Sequence, residues 1–224
     1  MPALSDVLST WMGYLVEAAY WDAVRSTVVG WAAGLVIATV AGIAGGTIVG
    51  STPLGRRLGT STVEFLRPIP SVALIPLAVL MFGTDMAATT MLVVYASFWQ
   101  VMVQVMYGVG DVDPVARQTA QCFRFRLRTH VTTVLWPTTL PYAITGFRLA
   151  ASVALIIEVT GELIIGSPGI GQQIAIAQAS GAAEQMYALV LTASVFGVLV
   201  NTGTRRVERR LLRWHSSVRG EVPR

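Results

Sequence analysis

Lysine is missing from this 224-residue chain, so all 16 cationic side chains are arginine. A P-loop sets a lysine against nucleotide phosphates; no GxxxxGK[ST] can be written here, and any ATP that drives the protein is hydrolysed by another chain. Cysteine is almost absent as well. Cys122 stands alone, which excludes an intramolecular disulfide and a thiolate metal cluster. The two histidines, His130 and His215, have no acidic or cysteine neighbours at ligand spacing, and no metal is expected. Charge of either sign is scarce. With 12% charged and 54% hydrophobic residues there is too little polar surface for a water-soluble domain, and the chain reads as an all-α integral membrane protein.

What is present is organised as apolar runs with polar punctuation. Residues 1–24 hold no lysine or arginine before a short apolar run, unlike a cleavable signal peptide. Leu4, Val7, Leu8, Trp11, Met12 and Leu15 repeat at helical spacing, which predicts an N-terminal helix lying in the interface with Trp11 at headgroup level. Residues 25–204 form the transmembrane part, with spans expected over 26–50, 66–84, 86–110, 139–161 and 185–204, followed by a basic tail over 205–224. The first span carries Gly30, Gly34, Gly42, Gly46 and Gly50, small residues at an interval that lets helices approach closely. The second holds Pro68, Pro70 and Pro76 and is expected to be kinked or irregular. Such backbone is tolerated at membrane depth only where protein or a water-filled cavity satisfies it. Pro70 and Pro76 are therefore candidates for a pathway wall. Gln100 and Gln104 share a face of the third span and need partners in hydrocarbon, so they join that set. Glu158 and Glu162 share a face near the far end of the fourth. They are either functional intramembrane acids or side chains that reach outer-surface water. Arg148 is expected to snorkel toward the headgroups. Residues 166–171, GSPGIG, break the helix and lack both the preceding strand and the following lysine of a phosphate cradle; an external loop with a short amphipathic helix fits better.

The polar exception is residues 111–138, predicted to be a helical hairpin outside the membrane. Asp113 suits an N-cap and Pro114 a first helical turn. Val115, Thr119, Phe123 and Leu127 recur every four residues, with Arg117, Gln121, Arg124 and Arg128 roughly opposite. One face is expected to pack and the other to meet water or a partner. Five spans leave every arginine except Arg25 on one side, with the N-terminus outside and the C-terminus cytoplasmic. A sixth span over 163–183 would send the tail's arginines outward, against the positive-inside rule. The excess of +4 is thus a topology signal and not a nucleic-acid footprint.

Gln118, Thr119 and Ala120, with Trp136-Pro137 and Leu140-Pro141 behind them, resemble the EAA loop of permease subunits in binding-protein-dependent ABC importers. Gln118 stands for the glutamate, Thr119 for the first alanine, Arg124 for the glycine and Trp136 for the leucine. FLRPIPSVALIPLAVLMFG (65–83), GELIIGSPGIGQQI (161–174) and VERRLLRW (207–214) are similar to the nitrate/sulfonate/taurine branch. The resemblance implies a type I ABC importer permease fold of about five core helices in a bacterial inner membrane. It also implies an ATPase dimer holding ATP and Mg, a second permease subunit and an extracytoplasmic solute-binding protein. Asp113, Pro114, Arg117, Gln118, Thr119, Ala120, Phe123, Arg124 and Leu127 would then contact the ATPase, and the solute would be a small anion such as a sulfonate, taurine or nitrate. A neutral, amino-acid-like or thiamine-precursor solute is the alternative, because two acids near the external mouth hardly favour anions. A stand-alone channel or secondary carrier would need no docking hairpin. A membrane enzyme would need a catalytic cluster that only Glu158 and Glu162 begin to supply.

Overall fold

A computed structural model describes residues 2–212 and shows helices joined by short turns. They are α1 (Leu4–Tyr14), α2 (Ala18–Gly50), α3 (Pro53–Leu66), α4 (Ile75–Phe82), α5 (Met86–Gly110), α6 (Pro114–Cys122), α7 (Leu127–His130), α8 (Trp136–Ile165), α9 (Ile170–Ala179) and α10 (Ala183–Leu211). A 3-10 turn, Ser71–Leu74, precedes α4, and a π-turn, Val131–Leu135, joins α7 to α8. Residues 213–224, which include Arg213, His215 and most of the basic tail, lie outside the described residues.

Four helical stretches are long and apolar enough to cross a membrane: Ala18–Gly50, Met86–Gly110, Leu127–Ile165 and Ala183–Leu211. A fifth span exists only if Pro53–Leu66 and Ser71–Phe82 are taken together across a 75° bend. Residues 66–84 thus hold an irregular break and do not cross as one regular helix. The 3-10 turn and α4, of 4 and 8 residues, rise only about 20 Å against a hydrocarbon core of about 30 Å. The prolines explain the break. Pro53 and Pro76 occupy first helical turns and Pro70 precedes one, positions where a missing N–H costs nothing. The first span begins earlier than residue 26, so Asp22 and Arg25 lie in the opening turns of α2.

The chain divides into two compact units, and α2, α5, α8 and α10 each contribute to both. In the unit of residues 1–37, 69–97 and 151–202, Tyr20, Ile170, Ile174, Ala177 and Leu189 form one core cluster and Ala78, Ala88 and Leu92 another. The Trp11 indole N–H donates to Thr192 Oγ1 at 3.0 Å, and Thr192 also pairs with the Tyr20 hydroxyl at 3.1 Å, which ties α1 to α10.

In the unit of residues 38–68, 98–150 and 203 onward, the α2 glycines meet the valines of α5. Gly42 lies against Val101, Gly46 against Val105 and Gly50 against Val109. A Cβ at Gly46 would stand 2.6 Å from the Met102 carbonyl oxygen, with backbone on both sides. Gly46→Leu is expected to lower stability by about 2 kcal/mol or more, read as a drop in thermal unfolding temperature in detergent. Arg148 forms an ion pair with Glu208 of α10 at 3.1 Å.

Candidate functional site

The hairpin begins as its sequence suggests. The Asp113 carboxylate accepts from the Val115 N–H at 2.8 Å, and Pro114 opens α6. The helix then stops at Cys122, short of the expected continuation to Leu127. Its end is a Schellman turn: the Phe125 N–H donates to the Ala120 carbonyl at 2.9 Å and the Arg124 N–H to Gln121 at 3.0 Å. That geometry requires a left-handed residue, and Arg124 supplies it with φ 50°, among the described residues the one non-glycine of positive φ. The strain of this turn is therefore borne by a residue with a side chain. Arg124→Gly is expected to stabilise the hairpin by about 1 kcal/mol, because glycine enters this region without steric cost. Thermal unfolding of the two proteins, side by side, checks it.

The faces of α6 are arranged differently from the periodic reading. Ala120 and Val112 are buried and Ala116 is half-buried, so the side that packs is small and apolar. Arg117 lies on this side, its guanidinium donating to the Val109 carbonyl at 3.5 Å. Val115 and Phe123 are left 66% and 74% exposed, and Leu127 beyond the turn is 80% exposed. Gln118 and Thr119 are exposed too, with the Thr119 hydroxyl donating to the Val115 carbonyl at 2.8 Å. Alanines win the packing face because they let α6 sit close. The larger apolar groups remain outside as a stripe that no described residue covers.

Among the other sequence candidates, Pro70 at the bend and Pro76 in the first turn of α4 are both exposed. Gln104 packs beside Gly146 of α8, and Gln100, one turn away, accepts from the Arg67 guanidinium at 3.5 Å. Arg67 was not singled out by the sequence, because it follows a polar connection and looked like part of it.

Glu158 and Glu162 do not reach water. Both are 0% exposed. Glu158 accepts from the Thr89 hydroxyl at 3.3 Å and fills the space left by Gly30 of α2. Glu162 accepts from the Gly171 N–H at 2.8 Å, and Thr27 accepts from the Ile170 N–H at 2.9 Å. The N-cap residue of α9, Gly169, offers no side chain, so α9 receives its cap from the preceding helix α8 and from α2. Side chains at Gly169 or Gly171 would collide with Glu162, which accounts for the glycines of the GSPGIG loop. Thr27 and Thr89 were missed in the sequence, where a threonine within an apolar run gives no signal of a capping partner.

This arrangement of spans, bent pair and short hairpin is that of type I ABC importer permeases. The fold is similar to that of a chain in an inward-facing structure of the MetNI methionine ABC transporter, with TM-score 0.65 and 18% identity over 85% of this chain and 93% of that one. It is likewise similar to a chain in a crystal structure of an amino acid ABC transporter with histidines, with TM-score 0.66 and 16% identity over 94% and 100% of the two chains.

Residues 34–213 match the family of binding-protein-dependent transport system inner membrane components, and the chain belongs to that family. Over 203 residues it is 28% identical to the taurine transport system permease protein TauC of Escherichia coli (strain K12), covering 91% of this chain and 74% of that protein. It is 29% identical over 159 residues to SsuC of Bacillus subtilis (strain 168), named for aliphatic sulfonates transport, covering 71% of this chain and 58% of that protein. It is 25% identical to the nitrate import permease protein NrtB of Leptolyngbya laminosa, covering 76% of this chain and 61% of that protein. The likeness to the nitrate/sulfonate/taurine branch thus holds, while the chain spans under two thirds of SsuC and NrtB.

Proposed function

We propose that this protein is the membrane-spanning permease subunit of an ATP-driven importer, energised by a separate ATPase that docks on α6. The observation that carries the reading is the uncovered apolar stripe of Val115, Phe123 and Leu127 on a hairpin whose opposite side is already packed. Apolar groups this exposed outside the membrane mark a protein interface. The hairpin is cytoplasmic in this reading, the N-terminus outside and the C-terminus inside. ATP and Mg belong to the ATPase dimer, and an extracytoplasmic protein delivers the solute. With α7, the π-turn and α8 forming one helical stretch, a push on the hairpin is passed directly to a span.

For the solute, a small anion of the sulfonate, taurine or nitrate kind is favoured. The argument for a neutral solute came from two acids near the mouth, and both are buried away from any open surface. A second permease subunit completes the path. Because Gln118 and Arg124 depart from the glutamate and glycine of the EAA loop, we assign that place to a different chain with a more typical loop. Native mass spectrometry showing two copies of this chain alone would refute the pairing.

The exposed native thiol at Cys122 tests the docking surface directly. A membrane-impermeant maleimide is expected to label it in inverted vesicles and not in intact cells, and bound ATPase is expected to protect it. Labelling in intact cells would put α6 on the wrong side and end the proposal.

A further inference from the structure

An arginine stands deep along a long apolar helix, and among the described residues no carboxylate pairs with it. α3 climbs beside α5 in a fixed register. Arg56 lies against Gly110 and donates to the Gly50 carbonyl at 3.1 Å, Gly59 lies near Met106 and Val49, and Arg67 meets Gln100. At 1.5 Å per residue, Gln100 is about 15 Å along α5 from Gly110. α5 has 25 residues and exceeds the hydrocarbon thickness by only about 7 Å. The Arg67 guanidinium therefore sits at a level where lipid headgroups do not reach by themselves. Arg67 is exposed, and among the described residues no carboxylate, Glu64 one turn earlier included, lies within ion-pair distance of it. A cation held at such depth faces a watery passage or a ligand and not acyl chains.

The hydrogen bond between the two side chains sets the chemistry of the spot. Gln100 gives its carbonyl oxygen to Arg67, which leaves its amide NH2 as a further donor. What the pair offers is a guanidinium fork and an amide NH2, a donor-rich spot with one positive charge. An acceptor-only anion with two or more oxygens is the matching ligand. Gln104, one turn further along α5 on the same face, lies beside Gly146 and is half-buried.

We infer that Arg67 and Gln100 form a stopping place for a small soluble oxyanion within the translocation path. The inference rests on the permease reading and names the ligand class that the path accepts. A phosphate of an anionic lipid presents the same oxygens, and the test separates the two.

The full chain with Cys122→Ser and Gln104→Cys, in phosphatidylcholine nanodiscs, is reacted with a methanethiosulfonate carrying a sulfonate and with one carrying a trimethylammonium. The anionic reagent is expected to react about tenfold faster relative to its cationic counterpart than it does with a free thiol. Arg67→Gln is expected to abolish that preference and Arg67→Lys to retain it. Methanesulfonate is expected to slow the anionic reagent, and choline to leave it unchanged. The inference is overturned if neither reagent reacts, if the preference survives Arg67→Gln, or if protection occurs only when phosphatidylglycerol is included, which would make the occupant a lipid. None of these outcomes touches the maleimide result at Cys122, so failure here leaves the docking of α6 standing.

Discussion

Glu162→Ala is expected to be the most damaging single substitution, lowering stability by about 2–5 kcal/mol. The Gly171 N–H would lose its acceptor while remaining buried, which costs about 1–3 kcal/mol, and the removed side chain would leave a cavity between α8 and α9. Glu162→Gln keeps an acceptor oxygen for Gly171 and the volume that the glycine loop encloses. It is expected to stay within about 1.5 kcal/mol of the parent. Thermal unfolding in one detergent, with the three proteins compared, reads the difference. Equal losses from alanine and glutamine would show that the carboxyl is needed for something other than capping α9.

The second large effect is on partnership and not on folding. Phe123→Asp changes a 74% exposed side chain at the end of α6, so the chain itself should stay within about 0.5 kcal/mol of the parent. Burying a phenylalanine at an interface is worth about 2 kcal/mol, and replacing it with a carboxylate is expected to weaken ATPase binding at least tenfold. The affinity of the purified ATPase for nanodisc-held chain measures it. Ala120→Asp makes the useful contrast, since that residue is 3% exposed and its change should harm the fold first. An unchanged affinity with Phe123→Asp would remove the stripe from the docking surface.

Much of this was readable beforehand because hydropathy and caps are local properties. Apolar runs located four stretches able to cross a membrane, Asp113-Pro114 announced the start of α6, and the α2 glycines announced close helix packing. What escaped was set by distant residues. Periodicity carried α6 through Phe123 to Leu127, but the turn at Arg124 ended it. Periodicity also could not tell that small alanines would take the inside. Two acids four apart looked suited either to water or to a site, and burial was decided by Thr27, Gly30 and Thr89, which lie on other helices. Arg67 was hidden for a related reason, since its depth follows from the path of α3 beside α5 and not from its neighbours in sequence.

The π-turn at Val131–Leu135 has a further consequence for how this stretch tolerates changes in length. A π-turn carries about one residue more than an α-turn. Deleting one residue there lets the ladder relax to regular α-geometry, with α8 keeping its azimuth and its lining side chains still aimed as before. Adding a residue has no such refuge, and would swing every downstream side chain by about 100°. Shortening by one and lengthening by one should thus have opposite fates at this single point of the chain.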